Sequence, residues 1–415
     1  MNEDRQLTIL GAGIVGICCA LEAIEAGLKV TVIDRLPPGE ATSHGNAGVI
    51  SPWSVVPQAM PGVWKSVPKW FLDPKGPVKI RWLDLPKTLP WVWQFFRHAT
   101  EAEATRVSDA MAWLQQDNME IYARYLRGTG AEHLIQSSHM LTVQRAGPAP
   151  DLTDLASRLR LRHHADLEVL TGGEIREIEP HISPDYTFAV MLRNQSRATD
   201  PGRLCKVLAN KAERQGATFI RHEVTEISPQ EDGGFNLRHQ DGKHTAPRLL
   251  ICTGAWSREL LKPLGIDLPL IGERGYHLVF TDPGVNVANS IADAGAKIIL
   301  SQMDMGVRVA GTAEFGDANA PPNYARAKAL EPLAKRLLPD LKTEPVRQWM
   351  GVRPSFPDNL PVIDRLGRFE NLHAAFGHSH YGLGMAPQTA RLVRALITGE
   401  QFNRDVSSVS TGRFK

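Results

Sequence analysis

Residues 7–34, LTILGAGIVGICCALEAIEAGLKVTVID, decide the fold of this chain. Leu7–Leu10 predicts a short buried strand that runs directly into a turn whose glycines have G-x-G-x-x-G spacing. Apolar residues then recur at helical spacing as far as Gly27, which is placed to end a helix, and Lys29–Ile33 predicts a second strand. The stretch therefore predicts a βαβ unit, in which the turn glycines are Gly11, Gly13 and Gly16.

This βαβ unit is typical of dinucleotide binding. The glycines let the backbone approach a pyrophosphate, and the start of the helix offers free N–H groups and a partial positive charge. Asp34 follows at the end of the second strand, where its carboxylate can accept hydrogen bonds from ribose hydroxyls. Because an acid there repels a 2′-phosphate, NADP is disfavoured, whereas NAD and FAD both stay open. The residues predicted at the pyrophosphate are Gly11, Gly13, Ile14, Val15 and Gly16.

Composition excludes several classes of protein. The chain has 415 residues, 42% of them hydrophobic, which is enough for two or three domains. Its net charge of +2 gives no sign of nucleic-acid binding. The four cysteines form no C-x-x-C pair, which suits a reducing cytoplasm. No apolar run reaches the ~18 to 20 residues of a transmembrane helix, so we expect a cytoplasmic protein, at most peripheral at the inner face of a membrane.

Two segments after the βαβ unit have an unusual composition. Residues 41–51 (ATSHGNAGVIS) are small and polar, typical either of a loop whose backbone lies against a ligand or of an ordinary surface loop. Residues 52–97 hold six of the nine tryptophans, including Trp70, with prolines and seven basic residues, including Lys69 and Lys75. This segment predicts an insertion that covers a substrate cavity, contacts a partner or lies at a membrane interface; a proline-broken part of the core is the alternative.

Further along, the pattern alternates between helices and strands before it changes to a meander. We expect one long helix through Val107–Tyr125, a helix over 151–162, a helix capped by Thr199 or Asp200, and a helix over 325–338. An apolar strand, 248–252, leads into Thr253-Gly254-Ala255. Residues 268–311 predict a separate antiparallel layer.

Five blocks, in this order, carry a resemblance to a known family. They read GAGIVG with Asp34, SHGNAG, ICTGAW, WMGVRPSFPDNLPVI and FGHSHYGLGMAP. The chain resembles the FAD-dependent D-amino-acid oxidase superfamily, and within it the D-amino-acid dehydrogenases and glycine-oxidase-like enzymes. An NAD enzyme would need none of the later blocks, so FAD is favoured over NAD.

The resemblance implies an α/β fold with a Rossmann-type FAD-binding domain interleaved with an α+β substrate domain that carries an antiparallel sheet. The FAD-binding domain is then expected to be discontinuous, built from residues 1–51, 198–256 and 345–415. The substrate domain is expected to take residues 52–197 and 257–344.

The resemblance also implies which residues bind the cofactor. Asp34 and Arg35 are expected at the adenosine end, and Val224 is expected to contact adenine through its backbone. The positions expected along the flavin or around its ring are Ser43, Asn46, Ala47, Gly48, Gly254, Trp256, Gly351, His380, Tyr381, Gly382, Leu383 and Gly384. The GVRPSFPD segment has no cysteine, and His44 stands one place from the position at which relatives attach flavin through histidine, so non-covalent FAD is expected.

The substrate residues follow from the same resemblance. Arg353 in the G-x-R-P motif is expected to bind the amino-acid carboxylate, for which a planar guanidinium can make two parallel bonds. The Tyr276 hydroxyl is expected to support the same carboxylate, although a plain sheet aromatic is an open alternative. His380 is a further catalytic candidate, weighted lower because a flavin can take a hydride from the α-carbon of a neutral amino acid without a protein base.

The function expected is therefore oxidative deamination of D-amino acids, with D-proline and 4-hydroxy-D-proline among the candidates. A glycine- or sarcosine-type oxidase that uses oxygen is the alternative, and a non-catalytic flavoprotein is a rival from another class. The electron acceptor is open between a quinone, a respiratory chain and oxygen. A peripheral membrane contact through residues 52–97 would favour the first two.

Overall fold

The computed structural model describes residues 5–66, 76 and 78–414. Of the Trp-rich insertion, Lys69, Trp70 and Lys75 lie outside the described residues. The strands are β1 Gln6–Leu10, β2 Lys29–Asp34, β3 Val49–Ile50, β4 Val78–Ile80, β5 Ile135–Gln144, β6 Leu167–Thr171, β7 Phe188–Ala198, β8 Thr218–Arg221, β9 Glu226–Pro229, β10 Phe235–His239, β11 Gly242–Ala246, β12 Leu249–Ile251, β13 Ile271–Phe280, β14 Ser290–Asp293, β15 Ile298–Met303, β16 Gly306–Ala310, β17 Ala313–Phe315, β18 Val346–Ser355, β19 Val362–Arg365 and β20 Leu372–Phe376.

The helices of the described residues are α1 Ile14–Glu25, α2 Leu85–Arg97, α3 Glu101–Gln115, α4 Asn118–Leu126, α5 Leu155–Arg162, α6 Gly172–Ile178, α7 Pro201–Arg214, α8 Ser257–Leu261, α9 Ala325–Lys328, α10 Glu331–Leu337 and α11 Gly382–Thr398. None of these helices combines the length and the apolar character that crossing a bilayer requires.

Across the described residues, a six-stranded sheet with the order β19-β20-β12-β1-β2-β8 carries the predicted βαβ unit. Its strands run parallel, except for the antiparallel pair β19 and β20. Gly27 ends the turn after α1 with φ +79°, a conformation that glycine adopts without strain. The six strands come from residues 1–51, 198–256 and 345–415, the three segments that the resemblance assigns to the FAD-binding domain. The predicted α/β fold is confirmed.

A larger sheet holds most of the remaining strands. Within the described residues it has eleven strands, in the order β3-β7-β5-β14-β15-β16-β13-β17-β4, with β18 paired to β13 and β6 to β7. The predicted antiparallel layer is present in β13 to β16, but the sheet is mixed because β14 runs parallel to β5 and β17 parallel to β4. Although β18 lies in a segment predicted for the FAD-binding domain, it pairs with β13 along ten residues. This pairing brings the GVRP motif to the large sheet.

Two predicted helices are each divided in the structure. The expected helix through Val107–Tyr125 is wrong, because α3 ends at Gln115 and α4 starts at Asn118, with Asp117 between them in the left-handed region at φ 54°. The expected helix over 325–338 becomes α9 and α10, the second of which has a proline in its first turn. The helix expected over 151–162 starts only at Leu155, where Asp154 caps it by accepting the Ser157 N–H.

A buried acid joins α1 to its neighbours. Glu22, with no exposed surface, accepts hydrogen bonds from Tyr125 (2.8 Å) and Arg394 (2.7 Å) and also pairs with Arg124. Because a buried carboxylate is tolerated only when its charge is compensated, these partners fix α4 and α11 against the nucleotide-binding helix.

Candidate functional site

One cavity of about 1430 Å³ runs from the carboxyl end of β2 to the GVRP motif on β18. All three predicted catalytic residues and most of the predicted cofactor residues line it. The cofactor candidates in its wall are Gly11, Gly13, Ile14, Val15, Asp34, Arg35, Ser43, Asn46, Ala47, Val224, Gly254, Trp256, Gly351, Tyr381, Gly382, Leu383 and Gly384. The structure therefore collects residues that are hundreds of positions apart around one space.

The glycine turn forms one wall of this cavity. Gly11 has φ +114°, and a Cβ there would lie 2.4 Å from the carbonyl oxygen of Cys252, the residue that follows β12. Gly13 begins α1 and has no side chain of its own to cap the helix, and Gly13, Ile14 and Val15 of this helix start line the cavity. Ser43 Oγ accepts the Ile14 N–H at 3.0 Å. The turn has the open backbone and the partial positive charge that suit a pyrophosphate.

Two predicted cofactor residues do not line the cavity. A Cβ on Gly16 would lie 2.0 Å from the carbonyl oxygen of Gly11, so Gly16 serves the close packing of α1 on the turn. Gly48, at φ +77°, packs against the carbonyl oxygen of Ala198, which a Cβ would approach to 2.5 Å. Both glycines shape the backbone next to the cavity, and neither forms its surface.

Asp34 lies where the βαβ unit predicts it. Its Oδ2 accepts the Ala12 N–H (2.6 Å) and its Oδ1 accepts the Leu36 N–H (2.9 Å). Burial raises the pKa of Asp34, and these two backbone bonds oppose the rise. Each carboxylate oxygen keeps a further lone pair for a ligand hydroxyl. Next to it, the Arg35 guanidinium lies 4.3 Å from the centre of the Trp256 ring, so both predicted residues form one end of the cavity.

The loop of residues 42–48, which contains SHGNAG, is held against the large sheet. His277 Nδ1–H donates to Gly45 O (3.0 Å), Arg308 donates to Asn46 O (2.6 Å), and Thr42 donates to Val352 O (2.7 Å). Burial lowers the pKa of His277 to about 3, so this ring is neutral at physiological pH. The loop backbone is thereby fixed along the cavity.

The Trp349 side chain accounts for two glycines of the five blocks that carry the family resemblance, Gly45 and Gly351. Its indole lies against Gly45 and Gly351, where an added Cβ would come within 2.1 Å of the ring at either position. On its other side Trp349 stacks on His277, with ring centroids 5.0 Å apart and an interplanar angle of 19°. The glycines therefore allow an aromatic side chain to support the cavity wall.

Arg353 lies in a compact charged cluster. Its Nη1 donates to Glu273 Oε1 (2.9 Å) and to Thr312 O (3.3 Å), and its guanidinium occupies the space above Gly275 that a Cβ would fill. His380 Nε2 lies 2.6 Å from the same Glu273 oxygen. Among the described residues, Nε and Nη2 of Arg353 have no hydrogen-bond partner. Part of the guanidinium is thus free for an anion.

Glu273 is the residue that organises this cluster. It is 1% exposed. Burial by itself would raise the pKa of its carboxyl, but the charges of His380 and Arg353 outweigh burial and lower that pKa to about 2. Ser355 donates to its second oxygen at 3.2 Å. Glu273 is therefore ionised and holds both predicted residues in place.

Replacing Glu273 by glutamine should lower the free energy of unfolding by about 3 kcal/mol near neutral pH, because a buried charge pair loses one partner. The carboxyl pKa is depressed from 4.5 to about 2 in the folded protein, so its stabilisation is present above about pH 4.5 and is lost as the pH falls toward 2. Urea unfolding at several pH values should show that the difference in free energy of unfolding between the wild type and Glu273→Gln becomes smaller as the pH falls from about 4.5 toward 2. Glu168→Gln, which removes an exposed ion pair with Arg193, is the control, and an equal loss there would contradict the role of Glu273.

The structure does not bring the Tyr276 hydroxyl to Arg353. In the β13–β18 ladder Arg353 lies opposite Glu273, and successive side chains alternate between the faces of a sheet, so Tyr276 projects from the other face. There its hydroxyl donates to Glu314 (2.8 Å) and accepts the Asn323 N–H (3.0 Å). Tyr276 is a sheet aromatic in the core of the large sheet, which is the alternative that the sequence left open.

His378, the other histidine of the C-terminal block, is 3% exposed and pairs with Thr389 at 2.9 Å. Burial lowers its pKa to about 3. It is a neutral structural group.

The described part of the Trp-rich insertion covers the cavity. One side of α2 contributes Trp91, Val92, Phe95 and Phe96 to the cavity wall. Trp91 donates to Ser355 O (3.1 Å) and stacks on Phe95 at 5.4 Å between ring centroids. Leu89 and Trp93 on the same helix are exposed. The side of α2 that faces the cavity therefore closes it with apolar side chains, and another side exposes Leu89 and Trp93 to solvent.

Sequence reasoning missed three residues of this site. Glu273 was visible as the one acid of the strand IGERGYHLVF, where an acid in a run of mostly buried residues indicates a compensated charge. Trp349 starts the WMGVRP block but carried no recognised signal. Arg160 on α5 lines the cavity, although it lies far in the sequence from all five blocks.

The model of the FAD dependent oxidoreductase (DAO) family matches residues 6–396. The chain belongs to this family. The glycine turn, Asp34 and the C-terminal glycines fit FAD, since they place a helix start with a glycine N-cap and a carboxylate along one cavity.

Individual relatives extend this result. The chain is 34% identical over 421 residues, covering 100% of both chains, to a D-amino-acid oxidase of Bradyrhizobium diazoefficiens. It is 28% identical to a D-amino acid dehydrogenase of Rhodopseudomonas palustris, covering 99% of this chain and 98% of the relative. Among solved structures, L-proline dehydrogenase from P. horikoshii (TM-score 0.74, 18% identity, covering 100% and 98%) and glycine oxidase from Geobacillus kaustophilus (TM-score 0.72, 18% identity, covering 98% of each) share the fold.

Proposed function

We propose that this FAD-dependent oxidoreductase dehydrogenates D-amino acids at the α-carbon. The observation that carries the proposal is the partly free guanidinium of Arg353 in the same cavity as the dinucleotide-binding turn. Two relatives named for D-amino acids, matched over nearly their whole length, support the substrate class.

Each residue of the cluster then has a role. Arg353 binds the substrate carboxylate through Nε and Nη2, and Glu273 fixes the orientation of the guanidinium. His380, held by the same carboxylate, adds positive charge when protonated. The apolar wall from Trp91 and Phe95 excludes water. FAD, when bound, supplies the acceptor for a hydride from the α-carbon. These residues bind and orient the substrate, and no protein base is required.

FAD is expected to be non-covalent. His44, the histidine of the SHGNAG loop, is absent from the cavity wall, where its neighbours Ser43 and Gly45 lie. Acid precipitation should therefore release the yellow colour into the supernatant. Colour retained in the pellet would indicate a covalent bond.

Anaerobic mixing with a panel of D- and L-amino acids, including D-proline and glycine, tests the function. We expect D-amino acids to bleach the flavin and the keto acid or cyclic imine to appear. Readmission of air then distinguishes an oxidase, whose colour returns rapidly, from a dehydrogenase. Bleaching by glycine or sarcosine alone would favour the alternative oxidase. No bleaching by any amino acid would favour a non-catalytic flavoprotein.

The electron acceptor is proposed to be a membrane quinone, reached through an exposed surface near α2. The exposed apolar and basic side chains of the Trp-rich insertion include Trp64, Leu83, Leu89, Trp93, Lys87 and Arg97, and the four apolar ones are four of the six exposed large hydrophobic side chains among the described residues. The Arg97 guanidinium lies 4.7 Å from the Trp93 ring centre. Aromatic and basic side chains together suit the interface of an anionic bilayer.

Replacing Leu89 and Trp93 together by serine should abolish co-sedimentation with anionic phospholipid vesicles at low salt, because the burial of apolar area is lost. Leu161→Ser, at another exposed apolar side chain on α5, should sediment like the wild type. Failure of the wild type to sediment, or equal sedimentation of the double variant, would remove the membrane contact.

A further inference from the structure

Three arginines line the cavity, and two of them are paired with carboxylates. Arg35 contacts Glu223 (3.4 Å), and Arg353 contacts Glu273 (2.9 Å). The third, Arg160, has neither an ion pair nor a side-chain hydrogen bond among the residues that the structure describes, and its Nε is buried without a partner. Arg160 is half-buried in the cavity wall, so a bound ligand would remove its guanidinium from water, which is unfavourable by several kcal/mol unless the ligand brings a compensating anion.

The neighbours of Arg160 on α5 show that the pattern is local. Arg158 pairs with Glu101 (3.0 Å) and Arg162 with Asp109 (2.9 Å), both on α3. Arg160 instead lies one turn after Ala156, which also lines the cavity. The nearest acid on its own helix, Asp154, is occupied as the helix cap. The helix thus directs one of its three arginines inward.

Arg160 lines the same cavity as the charged cluster of Arg353, Glu273 and His380. Burial raises the pKa of the Tyr381 hydroxyl, the charge of Arg160 opposes that rise, and Glu273 adds to it. Tyr381 therefore lies within the electrostatic reach of both Arg160 and Glu273, and its hydroxyl donates to Val56 O (2.7 Å). Tyr381, Arg160 and Arg353 all form part of the wall of this one cavity.

We propose that Arg160 binds a second carboxylate of the substrate, so that the enzyme prefers dicarboxylic amino acids. The inference rests on the proposed function, in which Arg353 holds the α-carboxylate. The planar fork of Arg160 suits a terminal carboxylate through two parallel bonds, whereas the isosteric amide lacks the charge.

Matched acid and amide pairs test this assignment. The measured quantity is the second-order rate constant for anaerobic reduction of the FAD-loaded protein. This rate constant should be roughly 10- to 100-fold higher for D-glutamate than for D-glutamine, and likewise for D-aspartate than for D-asparagine. Arg160→Met should remove this preference by slowing the acids alone, and Arg160→Lys should restore part of it. Arg162→Met, two positions along the same helix, should keep the wild-type ratio. Because Arg160→Met removes an unpaired buried charge, its Tm should be no lower than that of the wild type.

If the ratio of the rate constants for the acid and its amide were the same in the wild type and in Arg160→Met, the inference about Arg160 would be wrong. Reduction of the flavin by neutral amino acids would still support the proposed function in that case. If no amino acid reduced the flavin, the proposed function would be wrong. The role of Arg160 could then still be tested by measuring the binding of glutarate and glutaramate by calorimetry. Glutarate should bind the wild type more tightly than glutaramate and should lose that advantage in Arg160→Met. Equal binding of glutarate to both proteins would refute the role of Arg160.

Discussion

Replacing Arg353 by methionine should lower kcat/KM for amino-acid substrates by about 100-fold or more while the protein stays yellow. Each charge-assisted hydrogen bond to a carboxylate contributes about 1.5 to 3 kcal/mol, and the substrate would lose two. Glu273 keeps His380 as a partner at 2.6 Å, so the variant should still fold. Anaerobic reduction kinetics and the flavin content of the purified variant measure both effects.

Two matched variants make this result specific. Arg347→Met removes an exposed arginine from the same face of β18 and should leave kcat/KM unchanged. Arg353→Lys keeps a positive charge beside Glu273 but loses the planar guanidinium. Its kcat/KM should therefore lie between that of the wild type and that of Arg353→Met. Unchanged substrate affinity in Arg353→Met would refute the carboxylate-binding role.

Gly16→Ala should destabilise the fold by more than about 4 kcal/mol, since its Cβ would lie 2.0 Å from the backbone oxygen of Gly11 and neither group can move without separating α1 from the turn. The expected outcome is insoluble or colourless protein. Soluble expression, thermal unfolding and flavin content are the measurements.

Gly13→Ala provides the contrast within the same turn. Its φ of −74° is ordinary, and the nearest contact of an added Cβ is the Ser43 side chain at 3.3 Å. The apoprotein should therefore unfold near the wild-type temperature, whereas FAD should bind more weakly because the methyl group enters the cavity wall. If Gly16→Ala folded and retained FAD like the wild type, the proposed division between packing glycine and cavity glycine would be wrong.

The parts of the molecule that follow from local pattern were predictable. The glycine turn, α1 and β2 lie where the sequence predicts them, because each is set by residues within 7–34. Arg353 lies in the same cavity as that turn, as the order of the blocks implied. The split at Asp117 was not predictable from apolar spacing, since the apolar face continues through Tyr122 and only the left-handed residue breaks the helix. The proline at the start of α10 was a visible signal for the other split.

The side of the sheet on which a residue lies depends on register, which a single sequence does not contain. Tyr276 and Gly275 are neighbours, yet only Gly275 faces Arg353, because β13 pairs with β18 in one particular alignment. The orientation of Arg160 could not be predicted from the sequence for a similar reason. Nothing in the run of arginines on α5 distinguishes it from Arg158 and Arg162, and only the packing of α5 against α3 decides which of them stays unpaired.

A titration of FAD-loaded protein with acetate tests most directly whether one cavity joins a flavin to a carboxylate-binding guanidinium. Acetate has a carboxylate and no amine, so it can occupy the Arg353 site without being oxidised. We expect a saturable change in the visible flavin spectrum of the wild type that is abolished in Arg353→Met and preserved in Arg347→Met. A spectrum that does not respond to acetate, or that responds equally in Arg353→Met, would contradict the account.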